Sequence, residues 1–352
     1  MTAKKNSPKS VIVTGAAGFI GSQVVRQLVN ENYRIIAYDS LTYSGRLENL
    51  RTVEKSYRYQ FVEGSINDAI SFNAVLQREK PIAVLNLAAE THVDRSIDNP
   101  GKFLASNVAG TQVLLQACLE YWRQLSPDPK DEFRFVQIST DEVYGSVDEG
   151  AASETAGYAP NSPYAASKAA ADHFVRSYFA TYGLPVIMTH GGNTYGPRQF
   201  PEKFIPRMIL RGLSGKSLPI YGSGENVREW ISVEDHAKGI ISAWTKGAPG
   251  SSYNLGSEVR LSNMTVAKMI CDALRIDPKT VIKFVSDRPG HDTRYAVDSS
   301  RARRDLGWTV KDDLKTDLPT VIQWYQENPD WWRPILTERY DLSRLGIVER
   351  VG

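Results

Sequence analysis

Two carboxylates stand side by side in Ser139-Thr140-Asp141-Glu142-Val143-Tyr144-Gly145, with two hydroxyls just before them. Adjacent acids can be aimed at different atoms of one substrate, one donating a proton and the other removing one. Taken alone, the same residues would serve equally as a loop with a helix cap. A second group, Tyr164-Ala165-Ala166-Ser167-Lys168, sets a phenol and an ammonium one helical turn apart on a single face. The Lys168 charge would lower the pKa of the phenol and make it a base near neutrality. This spacing is frequent by chance and gains meaning only from its place in a fold. A third group is spread over 193–206, 226–230 and 287–292. From it Lys203, Arg228 and His291 could clamp a diphosphate; on composition alone these stretches read as solvated surface loops.

A Gly-rich turn supplies the frame. Gly15-Ala16-Ala17-Gly18-Phe19-Ile20-Gly21 has the spacing G-x-x-G-x-x-G, follows a short apolar run at 11–14 and opens a helical pattern that continues over 23–30. Such a turn brings backbone close to a pyrophosphate and offers it the free N–H groups of a helix start. Asp39 ends the next strand, at 34–38. An acid there accepts from the adenosine ribose hydroxyls and repels a 2′-phosphate, which favours NAD over NADP. The bland alternative is a structural turn with Asp39 capping a loop.

The elements that must position these groups alternate. Strands are expected at 59–62, 82–87, 133–139 and 185–189, with helices at 69–78, 103–122 and 163–182. Ser162 is a good N-cap and Pro163 a good first helical residue for the last of these. Right-handed crossovers between such strands give a parallel sheet covered on both faces. The expected class is α/β: a Rossmann-type doubly wound parallel sheet with a smaller C-terminal α/β substrate-binding lobe. The boundaries are 10–190 for the dinucleotide domain, 191–335 mainly for the lobe and 336–352 for a tail. The stretches 233–244 (helix) and 252–255 (strand) return to the large domain. A helix at 319–326 is expected to carry Pro319 in its first turn.

Bulk properties narrow the partners. The net charge is +2 over 352 residues, and no dense Lys/Arg block is present, so nucleic acid is not expected. Cys118 and Cys271 give neither a disulfide framework nor a metal-ligand spacing, so no metal is expected and a reducing cytoplasm is. Residues 1–10 lack the apolar core of a signal peptide and read as a disordered lead-in, and no stretch is long and apolar enough for a membrane span.

With these motifs in place the chain resembles the extended short-chain dehydrogenase/reductase family, and within it the nucleotide-sugar 4,6-dehydratases that act on dTDP-glucose. The resemblance runs over 10–332. It is carried by the turn at 15–21, by DSLTYSGRLENL at 39–50 and NLAAETHVDRSI at 86–97, and by STDEVYG, YAASK, NTYGPRQFPEKFIP, YGSGENVREW and DRPGHDTRYAVD. Asp141-Glu142 is its most specific element: related epimerases usually carry a small or hydroxyl pair there, and inverting dehydratases Asp-Lys.

The resemblance implies a hydro-lyase of deoxysugar biosynthesis. Tyr164 takes the C4 hydroxyl proton with Thr140 beside it, and hydride leaves C4 for NAD. Glu142 then removes the C5 proton while a protonated Asp141 assists loss of the C6 hydroxyl, and hydride returns to C6. It further implies a cofactor site of Gly15, Gly18, Phe19, Ile20, Gly21, Asp39, Thr42, Gly45, Ile66, Leu87, Ala88 and Ala89 with Tyr164 and Lys168. Substrate contacts are implied at His92, Asn193, Lys203, Arg228, Asn254 and His291. A homodimer is implied through the helices at 103–122 and 163–182.

The chain departs from the family at Ser65, where an adenine-binding Asp is usual, at Thr189-His190-Gly191-Gly192, and at Thr194, where a second Asn is common. The alternatives are a UDP-glucose or other nucleotide-hexose 4,6-dehydratase, a 4-epimerase, which needs no elimination of water, and a non-catalytic NAD-binding regulator.

Overall fold

The computed structural model describes residues 8–343 and 345. Most of the lead-in expected at 1–10 and much of the tail expected at 336–352 lie outside these residues.

The described strands are β1 (Ser10–Thr14), β2 (Arg34–Asp39), β3 (Tyr59–Glu63), β4 (Ala83–Asn86), β5 (Arg134–Thr140), β6 (Val186–Gly191), β7 (Asn193–Tyr195), β8 (Leu218–Tyr221), β9 (Val227–Ser232), β10 (Ser252–Leu255), β11 (Arg260–Ser262) and β12 (Ile282–Val285). Seven of them form one sheet in the order β10-β6-β5-β4-β1-β2-β3. Every pairing in it is parallel, with Val11 opposite both Ile35 and Ala83. Runs such as Val11-Ile12-Val13 and Ala83-Val84-Leu85 are fully buried, as strands covered on both faces must be.

One face packs through Val24, Val25 and Leu28 of the Phe19–Asn30 helix against Ile240 and Trp244 of the Val233–Lys246 helix. The opposite face carries Phe72 and Leu76, Leu114 and Cys118, and Val175 and Tyr178 from three crossover helices. This is the Rossmann-type doubly wound fold. Chain direction across the sheet switches between β1 and β4, and a crevice opens beyond their carboxyl ends. A third apolar cluster gathers Ile205, Ile209, Ile270, Leu318 and Tyr325, beside the small sheets β11-β9-β7 and β12-β8.

Two expectations need correction. The helix expected at 103–122 is an α-turn at Pro100–Phe103, a π-helical stretch at Leu104–Gly110 and an α-helix at Thr111–Arg123. The wide turn accompanies Asn107, whose Oδ1 accepts from Glu90 N (2.8 Å) while its Nδ2 donates to Glu90 O (3.0 Å) and Ser167 Oγ (2.8 Å). Such π-bulges are frequent next to functional sites.

Pro319 does not start its helix. It lies inside Leu314–Glu327, whose start is capped by Asp313 accepting from Lys315 N. The burial of Leu314 and Leu318 draws the helix back past the proline. The carbonyl that the proline leaves unpaired belongs to Lys315, which is exposed and can turn to water.

Candidate active site

The turn after β1 explains its glycines. Gly15 has φ +63°, and a Cβ there would come within 2.6 Å of Ala88 N. The Phe19–Asn30 helix begins at Gly18 with no side-chain cap and no acidic residue in its first turn, so its leading N–H groups are free for an anion. Asp39 is nearly buried and oriented by two backbone donors, Ala17 N to Oδ2 (2.9 Å) and Leu41 N to Oδ1 (2.8 Å).

A cleft of about 440 Å³ runs from this turn to the carboxyl ends of β5 and β6. Gly15, Gly18, Phe19, Ile20, Gly21 and Asp39 line its first part. Thr42, Gly45, Ile66, Leu87, Ala88 and Ala89 line its middle, and Tyr164 and Lys168 stand at its far end with Thr140, Asp141 and Glu142. A cradle that admits no Cβ, an uncapped helix start and a poised carboxylate fit a dinucleotide. Ser65 lines the same wall; its Oγ accepts from Asn67 N, and Asn67 lines the cleft beside it.

The catalytic candidates come from three adjoining pieces. Thr140 ends β5 and caps the short 3-10 turn Asp141–Tyr144, accepting from Glu142 N at 3.3 Å. Its hydroxyl also donates to Asp141 Oδ1 at 3.2 Å. Asp141 Oδ2 is buried without a partner. Burial, then the neighbouring charges of Glu142 and Glu229, push the Asp141 carboxyl well above the usual carboxylate range.

Burial raises Glu142 as well, but Arg288, Arg228 and Lys203 oppose that shift. Neighbouring acids in unlike surroundings divide into a proton donor and a base. Tyr295, which sequence reasoning did not single out, donates to Asp292 Oδ2 at 2.8 Å, and its hydroxyl lies 3.4 Å from Glu142 Oε2.

Tyr164 stands in the first turn of the Pro163–Tyr182 helix, whose cap Ser162 accepts from Ala165 N. Lys168 Nζ donates to Ile138 O at 2.6 Å. The expected lowering of the Tyr164 pKa by Lys168 is not what dominates. Burial and the Glu142 charge raise the phenol above its ordinary value, and its hydrogen bond with Thr140 opposes them. Lys168 is itself lowered to about 8 by burial.

A second cleft, of about 150 Å³, adjoins the first. Glu142, Asn193 and Lys203 line both, so Glu142 sits where the clefts meet, with Asp141 beside it on the wall of the first. His92, Arg228 and His291 line the second. Lys203 Nζ donates to Thr91 O (2.7 Å), and Arg228 Nη2 donates to Asp292 O (2.9 Å) with its guanidinium over the Tyr295 ring. Asn193 Oδ1 and His92 Nδ1 are buried without partners. Burial holds His92 and His291 neutral, at about 3 and about 4.

Sequence reasoning missed Arg288, Tyr221 and Asn263, which line this cleft with them. Arg288 could have been found, since it lies inside the Asp287–Asp292 segment; its Nη1 donates to Asp94 Oδ1 at 3.3 Å and its Nε has no partner. Three cations, Lys203, Arg228 and Arg288, thus face a space able to hold a diphosphate.

Asn254 is not brought to either cleft. It is fully buried on β10, accepts from Tyr144 OH (2.9 Å) and donates to Ala152 O (2.9 Å) and Asp298 O (3.3 Å). Its polar atoms are spent inside the fold. Among the described residues no group of His, Cys, Asp or Glu is arranged to hold a metal ion, and no helix is long and apolar enough to cross a membrane.

Comparison with known proteins fits this geometry. A family model described as GDP-mannose 4,6 dehydratase matches residues 12–318. The dTDP-glucose 4,6-dehydratase of Escherichia coli is 45% identical over 360 residues, covering 96% of this chain and 99% of its own. The crystal structure of DesIV, a dTDP-glucose 4,6-dehydratase from Streptomyces venezuelae solved with NAD bound, matches with a TM-score of 0.87 and 42% identity, covering 93% of this chain and 99% of that one. A UDP-glucose 4-epimerase from Thermotoga maritima shares the fold at a TM-score of 0.82 but only 28% identity, covering 91% of this chain and 99% of its own.

Proposed function

The chain belongs to the GDP-mannose 4,6 dehydratase family, and we propose that within it the enzyme converts dTDP-glucose to dTDP-4-keto-6-deoxyglucose and water, with NAD as cofactor. The observation that carries this reading is the acid pair on the wall of the first cleft, with Asp141 next to Glu142 and Glu142 reaching the meeting of the two clefts. Burial pushes the Asp141 carboxyl well above the usual carboxylate range, while the rise that burial imposes on Glu142 is opposed by three cations.

NAD, when bound, would supply the acceptor for hydride from C4 and the donor that returns it to C6. The chain's own residues move the protons. Tyr164 takes the proton of the C4 hydroxyl, steadied by Thr140. The resulting ketone acidifies C5, and Glu142 removes that proton. Asp141 gives its proton to the C6 hydroxyl, which leaves as water. Lys168 stands behind Tyr164 on the cofactor side. Asn193 faces the sugar, and Lys203, Arg228 and Arg288 answer the diphosphate. His92 and His291, both neutral, can donate or accept from the nucleotide end. The third apolar cluster and its small sheets form the substrate lobe of this arrangement.

We further infer a homodimer. Leu104, Phe174, Phe179 and Tyr182 are more than a third exposed and lie on the Pro163–Tyr182 helix and its neighbour. Exposed large apolar groups on adjoining helices are the mark of a protein–protein face. Light scattering on the purified protein tests this. Cys118 and Cys271 are both free and buried, which supports a reducing, cytoplasmic setting.

Turnover on dTDP-glucose and UDP-glucose, read as 4-keto absorbance in alkali and as product mass, tests the activity. A product one water lighter from dTDP-glucose is expected. Turnover of UDP-glucose alone would overturn the choice of nucleotide, and C4 inversion at unchanged mass would mark an epimerase.

A further inference from the structure

One helical turn beyond Lys168 on the Pro163–Tyr182 helix lies Asp172, 1% exposed and unused by the chemistry above. Three groups meet its Oδ2: Ser139 Oγ donates at 2.6 Å, Tyr158 OH donates at 3.3 Å, and His190 Nε2 lies at 3.2 Å. Tyr158 OH and His190 Nε2 are themselves 2.8 Å apart. Oδ1 is buried and has no partner. Ser139 directly follows Ile138, whose carbonyl receives the Lys168 ammonium. One strand end therefore holds both the ammonium and the carboxylate.

We propose that Asp172 is a positioning residue for Lys168: it supplies the buried negative charge that keeps the Lys168 ammonium charged and held at the end of β5, facing the cofactor cleft. The inference rests on the role given above to Lys168. A buried ammonium hydrogen-bonded to one carbonyl needs a counter-charge to remain an ion. The other acids nearby are turned elsewhere. Glu142 reaches the second cleft, where Arg228, Arg288 and Lys203 answer it, and Asp141 Oδ1 is bonded to Thr140.

Other titratable groups surround Asp172. Tyr144 from the 3-10 turn and Tyr158 from the following loop are phenols pushed up by burial. His190 contributes from β6, while His173 and Arg176, on the same helix, face Tyr158 rather than Lys168. Lys168, lowered by burial to about 8, has Asp172 as the charge that opposes that fall. Tyr164 feels Asp172 in the opposite sense, as one of the charges raising its phenol.

The test is the pH profile of kcat/KM for Asp172→Asn beside the parent enzyme, with NAD binding followed by equilibrium dialysis over the same pH range. Without the Asp172 charge, Lys168 gives up its proton at lower pH and Tyr164 ionises at lower pH. Both limbs are expected to move acidward by about one unit, and NAD affinity above pH 7 to fall several-fold. Asp172→Glu should restore both limbs.

A uniform loss of activity without lateral movement would overturn the proposal in favour of a packing role. So would failure of both Asp172→Asn and Asp172→Ser to fold, since the amide is isosteric. Lys168→Met separates the two readings. If it stays active, the role of Lys168 fails; if it is inactive while the Asp172→Asn profile stays put, only the present proposal fails.

Discussion

The Tyr43 hydroxyl donates a 2.7 Å hydrogen bond to Glu202 Oε1, joining the loop after β2, which lines the cofactor cleft, to the segment that carries Lys203. Glu202 is 3% exposed, and its Oε2 accepts from Arg95 Nε at 2.7 Å. The Arg95 guanidinium lies 4.1 Å from the Tyr43 ring centroid. Three segments that are distant in sequence thus close around one buried carboxylate. Removing the phenolic donor leaves Glu202 with an unmet lone pair, and a hydrogen bond to a buried charge is worth about 1.5–3 kcal/mol. Tyr43→Phe should therefore release NAD about tenfold faster and raise KM for the nucleotide sugar. Cofactor content after gel filtration and initial rates check both.

The two adjacent acids should separate by isotope. Asp141→Asn removes the proton donor for the C6 hydroxyl and leaves Glu142 free to work on C5. Its kcat should fall about 10²–10⁴-fold, with NAD still bound and exchange of the C5 hydrogen with solvent deuterium continuing. Glu142→Gln should lose both turnover and exchange. Mass spectrometry of recovered substrate from D₂O distinguishes the two.

How far the site could be read from sequence follows from how local each part is. The glycine turn, β1 and Asp39 form one compact signal, and Asp141-Glu142 and Tyr164-x-x-x-Lys168 are short enough to notice. The substrate cleft is different. Tyr221, Asn263 and the segment that holds Arg288 and Tyr295 are far apart in sequence and meet only through tertiary packing. No spacing announces them. Asn254 shows the converse error: a substrate contact implied by resemblance whose hydrogen bonds are consumed by Tyr144, Ala152 and Asp298. The π-turn at Leu104–Gly110 is set by Asn107 reaching Glu90 and Ser167, contacts invisible to a periodicity argument.

Acid should unfold the protein earlier than its carboxylates alone would dictate. His92, His236 and His291 are held by burial to about 3, about 4 and about 4. In the unfolded chain each titrates near 6.5. Below pH 6.5 the unfolded chain binds protons that the native fold refuses, so stability falls as pH drops from 6.5 toward 4. Each histidine contributes at most about 1.4 kcal/mol per pH unit in that window. His236→Gln should make the fall in Tm between pH 6.5 and 5 shallower, as differential scanning calorimetry would register.

Gly191 and His236 are fitted to each other. The His236 ring is 2% exposed, and its Nδ1 is held 2.8 Å from Thr194 Oγ1. Thr194 in turn donates to Gly192 O at 3.2 Å, so the hydroxyl accepts from Nδ1–H and leaves Nε2 bare against Gly191. A Cβ on Gly191 would overlap both Cε1 and Nε2 of that ring. Neither partner can give way cheaply, because Gly191 ends β6 and the ring is pinned through Thr194. Gly191→Ala should cost about 1–3 kcal/mol in urea unfolding. Gly157→Ala, where a Cβ meets nothing within 4 Å, should stay within about 0.5 kcal/mol of the parent. Combining Gly191→Ala with His236→Ala makes room for the methyl. The double variant should then be more stable than the sum of the two single losses, and additivity instead would show that the clash is relieved elsewhere.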